Sequence, residues 1–296
     1  MDVMYAQKRR VRSPVGAGLF YPDNKGELLE LLGSFGINSA SFGYAKAIIA
    51  PHGAWSYSGA IAAGAFSSAM GRTGSIKRVV ILGPIHEPKP SLTAREKSNE
   101  GTPVTKREKG LFLSNSYSFN TPIGNILVDR KMSKQFEKSG VSFEINDIPH
   151  LGEHSIEILL PFIKYCFPGA SIVPVLMGQP SAQYIYDLAQ GLKTVITPAI
   201  MEETLIIVSC NLSSNKDEKE ARILAEESLR LFKEMNASAL ASAIFEDRLN
   251  ACGGALVVSL LESGILQKTS CSSINNFVSA VTIENNTVYY SGLSFE

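Results

Sequence analysis

Only four histidines occur in 296 residues, and two of them occupy equivalent places. His52 lies in Ala50-Pro51-His52-Gly53 and His86 in Gly83-Pro84-Ile85-His86, each just beyond a short apolar run. Ligands in open α/β sheets bind outside the carboxyl ends of the strands, so two imidazoles from separate strand ends can meet there. Together they offer metal ligands or proton carriers; a turn histidine satisfied by backbone is the alternative for each. Cys252 precedes Gly253-Gly254 and an apolar segment. The positive end of a helix there favours thiolate, the form that binds metals and acts as a nucleophile. A small buried hydrophobe is the other fate of a free cysteine, and the one expected for Cys166 and Cys271. The segment Glu153-His154-Ser155-Ile156-Glu157 begins a helix, where acidic groups are favoured electrostatically without any chemistry. A third ligand, a general acid, or a Glu153–His154 pair that orients a neighbour is the sharper reading. Asn211 follows Val208-Ser209-Cys210 at another strand end. Its amide coordinates through oxygen but accepts no proton usefully at neutral pH, which weakens a hydrolytic role.

Positioning these groups requires a sheet whose strand ends converge. The runs Ala45-Lys46-Ala47-Ile48-Ile49 and Arg78-Val79-Val80-Ile81-Leu82 read as buried parallel strands, as do 171–177 and 204–209. Helical patterns fall between them at 59–70, 155–165, 182–192, 218–235 and 254–263. An earlier helix carries Leu28, Leu31, Leu32 and Phe35 on one face, with Asp23 as its cap and Gly36 as its stop. Residues 280–293 alternate and read as antiparallel strands turning at Asn285-Asn286. Strands and helices in alternation imply a three-layer α/β/α sandwich with a mostly parallel mixed sheet. No linker-like change of composition divides the chain, so a single domain over 1–296 is expected.

The balance of 28 Lys+Arg against 28 Asp+Glu leaves no net field to hold a phosphate backbone. A dedicated nucleic-acid binder is therefore not expected, and a small-molecule or peptide ligand is. No run approaches the roughly 18 apolar residues of a membrane span, and the basic opening 1–12 leads into no apolar signal core. A cytoplasmic location is the expectation. The four cysteines show no CxxC spacing, so they should be thiols. Gly16-Ala17-Gly18 lacks a preceding strand, and no P-loop, GxGxxG or GxSxG is present. The stretch 87–110 holds six basic and four acidic side chains with almost no large apolar ones. Such a polar insertion does not bury enough surface to offset its ordering entropy, and a mobile segment gating the pocket beside His86 is expected.

Several of these residues belong to a known pattern. The blocks Gly16-Ala17-Gly18-Leu19-Phe20-Tyr21-Pro22, Ile49-Ala50-Pro51-His52, Ile81-Leu82-Gly83-Pro84-Ile85-His86, Glu153-His154-Ser155-Ile156-Glu157, Val173-Pro174-Val175-Leu176-Met177-Gly178 and Cys252-Gly253 resemble, in order, the Memo family. That family is also known as the B component of the AmmeMemoRadiSam system. The resemblance implies an α/β/α domain similar to the extradiol, non-haem iron dioxygenases. It implies iron(II) or copper held by His52, His86 and Cys252, with zinc not excluded on ligand type. Phe20 and Tyr57 match the family's aromatic pocket neighbours, and Asn211, Glu153 and His154 complete the expected pocket. The animal relative is described as recognising phosphotyrosine peptides and as a metal-linked redox protein.

The chain departs from the pattern after the strand at 204–209. The family usually reads Ser-Asp-Phe/Leu-Ser/Cys-His; here Cys210-Asn211-Leu212-Ser213-Ser214 replaces the aspartate by Asn211 and the histidine by Ser214. Loss of that acid/base pair puts dioxygenase turnover in doubt. Two functions follow as expectations: a metal-binding, dioxygenase-like protein with a redox role, or a non-catalytic module that recognises a peptide or small anion in the same pocket.

Overall fold

The computed structural model describes residues 10–37, 43–86, 109–140, 142–267, 269–274, 277–282 and 285–296. Among them, eight strands form one sheet: β1 Ala47–Ala50, β2 Arg78–Pro84, β3 Leu111–Leu113, β4 Phe143–Ile145, β5 Ser171–Met177, β6 Thr204–Ser209, β7 Cys271–Ser273 and β8 Leu293–Phe295. Their order is β7-β8-β1-β6-β2-β5-β3-β4. The central four, β1, β6, β2 and β5, are parallel, while β8 joins β1 and β3 joins β5 antiparallel. Parallel central strands put the carboxyl ends of β1, β2 and β6 along one rim of the sheet, and this delivers His52, His86 and Asn211 to a common place.

Alternate strand residues point to opposite faces, and both faces are covered. Ala47, Ile49, Val80, Leu82, Ile206 and Val208 pack with the helices α3 Arg130–Ser139, α5 Ala182–Val195, α6 Glu218–Glu234, α7 Ala237–Phe245 and α8 Gly254–Glu262. Ile48, Ala50, Val79, Ile81, Leu205 and Ile207 pack with α1 Lys25–Ser34, α2 Trp55–Ser67 and α4 Leu160–Cys166 on the other side. The result is the expected three-layer α/β/α architecture. No helix of the described residues is long and apolar enough to cross a membrane.

Local boundaries differ from the pattern reading for identifiable reasons. Asn24, and not Asp23, caps α1, because its extended backbone places Oδ1 at the amides of Gly26 and Glu27. The small-residue helix starts at Trp55, four residues before the expected Gly59. Residues 155–165 are not one helix: a 3₁₀ turn Glu157–Leu159 precedes α4, and Pro161 lies in the first turn of α4 where its missing N–H costs nothing. At the C-terminus Val278–Val281 and Thr287–Tyr290 pair antiparallel, and Asn285 has the left-handed φ of a turn residue. The chain then leaves that pair, and β8 joins the main sheet instead. Ser213–Asn215 adds to the same small sheet through Thr287–Tyr290. Of the polar insertion, residues 87–108 lie outside the described residues, so its expected mobility is not addressed by the fold.

Candidate metal centre

His52 and His86 are each the second residue beyond β1 and β2, and Cys252 immediately precedes Gly253, the N-cap of α8. One ligand atom from each of His52, His86 and Cys252 lies within 4.8 Å of the others. Sγ of Cys252 is 3.4 Å from Nε2 of His52, and the two imidazole centroids are 5.0 Å apart.

Each imidazole is held from behind. Nδ1 of His52 lies 2.7 Å from Oγ of Ser209, and that hydroxyl donates to the carbonyl of Ser155 at 2.6 Å. The single hydroxyl proton is thereby used, so Ser209 accepts from His52 Nδ1–H and Nε2 keeps a lone pair facing Cys252. Nδ1 of His86 meets Oε1 of Glu153 at 3.1 Å, and the His86 amide donates to Oε2 at 2.6 Å. A carboxylate only accepts, so His86 too presents its other nitrogen to the site. Glu153 also accepts from the amides of His154 and Ser155 at 2.8 and 2.7 Å. The carboxylate thereby orients His86, and His86, Glu153 and His154 form a second group with ligand atoms within 4.8 Å of one another.

These contacts set the charges. For His86, burial alone would lower the pKa, but hydrogen bonds to Cys252 and Glu153 outweigh it and raise it to about 10. Burial would raise the Glu153 carboxyl, yet its bonds to His86 and the charges of His86 and His154 hold it down at about 2. Burial depresses His154 to about 4. The Cys252 thiol is held well below its ordinary value, first by a hydrogen bond from Cys210 and further by His52, while burial pushes the Cys210 thiol up.

The remaining expected pocket residues are placed as follows. Asn211 sits between the ligands: its Oδ1 accepts from the His52 amide at 3.0 Å and its own amide donates to Cys252 Sγ at 3.2 Å. His154 stacks on Phe20 with ring centroids 5.0 Å apart. Phe20 is carried by the turn of residues 16–20, and Glu157 holds that turn. Its carboxylate accepts from the amides of Val15 and Gly16 and from the Tyr21 hydroxyl, and it pairs with the buried Arg12. Tyr57 lies half-exposed on α2 and faces Tyr290. The cleft beside Cys252 has a volume of about 640 Å³, and His86, Asn211, Cys252, Ser214, Asn250 and Asp247 are on its walls. Ser214 is fixed on the rim by Asn250, which bonds both its amide and its carbonyl.

Three contributors had been missed by pattern reading. Ser209 and Cys210 end the apolar run of β6, the same sequence position that singled out His52 and His86 after β1 and β2. Tyr290 is buried with its ring against Gly53, where a Cβ would lie 2.7 Å from the ring; burial and the neighbouring Tyr57 and Cys252 raise its hydroxyl to about 12. Its alternating strand context carries no signal of this role.

The family model described as "Memo-like protein" matches residues 12–293. A MEMO1 family protein of Thermotoga neapolitana is 28% identical over 266 residues, covering 86% of this chain and 88% of its own. A MEMO1 family protein of Thermoplasma volcanium is 26% identical over 254 residues, covering 85% of each chain. One from Pyrococcus furiosus is 31% identical over 189 residues, or 62% of this chain and 58% of its own. A match that runs through the segments bearing Arg12, His52, His86, Glu153 and Cys252 leaves one conclusion: this chain belongs to the Memo-like protein family.

Proposed function

We propose that the chain binds a transition-metal ion through His52, His86 and Cys252 and serves a redox role toward a small molecule in the adjoining cleft. The observation that carries this is the convergence of three ligand atoms whose imidazoles are each anchored through the opposite nitrogen. Such back-bonding is what metal-ligating histidines require to hold tautomer and orientation. Two nitrogens and a thiolate suit iron(II) or copper, and zinc also accepts this set. When bound, the ion would supply Lewis acidity or electron transfer to a small molecule in the cleft. Asn211 and Ser214 offer no strong base beside these ligands, so oxygen uptake with catechol-like substrates is expected to be weak or absent. The test is metal content of protein purified without chelator, compared with the triple variant His52→Ala/His86→Ala/Cys252→Ala. About one metal per wild-type chain and almost none in the variant is the expected result; equal metal in both ends the proposal.

A second reading is favoured by the neutral amides and hydroxyls of Asn211, Ser213, Ser214 and Asn250 along the cleft. It is a binding module for a peptide or small anionic ligand that works without catalysis. Titration of metal-free protein separates the two, because a module keeps its affinity and a metal-centred site loses it.

A further inference from the structure

We propose that Cys210 and Cys252 form a reversible disulfide under peroxide, and that this takes Cys252 out of the metal group. The two residues come from distant parts of the chain and are joined by reciprocal bonds. The amide after Cys210, that of Asn211, donates to Cys252 Sγ at 3.2 Å; the amide after Cys252, that of Gly253, donates to Cys210 Sγ at 3.3 Å. Cys210 Sγ lies 3.2 Å and Cys252 Sγ 3.9 Å from the Asn211 carbonyl oxygen, so both sulfurs gather at one peptide unit. Gly253 makes this approach possible, since a Cβ there would lie 2.6 Å from Cβ of Cys210 and 2.5 Å from the Ser209 carbonyl oxygen. Cys252 is on the cleft wall and partly exposed, whereas Cys210 is fully buried behind it. An oxidant entering the cleft therefore meets Cys252 first and leaves Cys210 as the resolving thiol. The other two cysteines are elsewhere: Cys166 packs in the opposite helical layer and Cys271 lies on the edge strand β7. A serine at 210 would accept the same amide bond, so the sulfur is not needed for the fold.

The chemistry balances with hydrogen peroxide as the oxidant. The Cys252 thiolate attacks one peroxide oxygen, the O–O bond breaks, and the departing hydroxide takes a proton to become water, leaving Cys252 as a sulfenic acid. The Cys210 sulfur then attacks the Cys252 sulfur, the S–O bond breaks, and the thiol proton leaves with the hydroxide as a second water. Two thiols lose two electrons in total and one peroxide gains them. A disulfide sulfur carries no negative charge and is no longer a thiolate ligand. A dithiol reductant reverses the step by exchange. The disulfide stands on the thiol geometry alone; its effect on metal rests on the proposed metal centre.

The experiment treats reduced, metal-free protein with equimolar hydrogen peroxide, blocks remaining thiols by alkylation, and digests with trypsin without reduction. A cross-linked pair of peptides 194–216 and 249–268, two hydrogens lighter than their sum and separated by dithiothreitol, is expected. Cys210→Ser should give no such pair and should leave Cys252 trapped by dimedone as its sulfenic acid. Wild-type protein that yields the dimedone adduct on Cys252, or no oxidation at all, and no cross-link overturns the disulfide while leaving the metal reading intact. Zinc titration of the cross-linked protein should then show affinity reduced at least about tenfold against the reduced form. A cross-link with unchanged zinc affinity overturns the switch. If Cys252→Ala also binds zinc as wild type does, the fault lies with Cys252 as a ligand in the proposed centre.

Discussion

His52 and His86 converge on Cys252 through unlike supports, a hydroxyl for one and a carboxylate for the other. Ser209→Ala removes the acceptor that fixes the His52 tautomer, and Glu153→Gln removes the charge that orients His86. Each variant should bind zinc or cobalt roughly 10–100-fold more weakly, as measured by competition with a chelator, with little change in fold. Wild-type affinity in both would place ring orientation under other control. His52 and His86 stood out in the sequence because a rare residue type recurs at the ends of apolar runs, and Cys252 because it precedes an apolar helix. Ser209 did not, since a serine closing a strand is common, and its meaning comes only from contacts with His52 and the Ser155 carbonyl. Glu157 was read as an acid at a helix start, and in the fold it anchors the turn bearing Phe20. Its partner Arg12 is 145 residues away, beyond any local spacing.

Among the elements, β1, β2, β5 and β6 were legible because each is buried on both faces and so is written as a continuous apolar run. The strands β3 and β4 were not, being three residues each, too short for any alternation to register. The helix α3 went unread for a different reason: only Met132, Ser133 and Phe136 are buried in a run otherwise full of lysines and polar groups. Where α8 meets the end of β6, Gly253 matters most, because an added Cβ would meet the Ser209 carbonyl and Cys210 at distances real side chains do not reach. Gly253→Ala forces α8 to shift away from β6. We expect a loss of roughly 1–3 kcal/mol in urea unfolding together with weaker metal binding, because Cys252 moves with the helix. A variant equal to wild type in both measurements would show that the close approach is not required for the site.

At the scale of the whole molecule, acid stability depends on a group remote from the cleft rim. His150 is buried in the short helical turn Ile148–Gly152, and its Nε2 donates to the carbonyl of Phe112 on β3 at 3.2 Å, while Arg12 reaches its backbone carbonyl at 3.0 Å. Burial depresses the imidazole to about 4, only partly opposed by the Phe112 bond and the charge of Asp147. The unfolded chain takes up this proton near pH 6.5. Above that value both states are neutral and His150 makes stability independent of pH. As pH falls from about 6.5 toward 4, the unfolded state binds a proton that the folded state refuses, so stability is lost across that window, by a few kcal/mol on an order-of-magnitude basis. His86 has the opposite sign, since its raised value contributes stability below about 6.5 that is lost as pH rises toward 10. Stability of the metal-free protein should therefore peak near neutrality. His150→Gln keeps a donor for Phe112 but does not titrate, whereas His86, His154 and Glu153 are common to both proteins. Urea midpoints measured from pH 8 to pH 4 should fall more steeply for wild type than for His150→Gln, the two curves diverging below about pH 6.5. Parallel curves throughout would mean that the buried imidazole is protonated in the folded state, and that acid lability of this fold arises at the cleft instead.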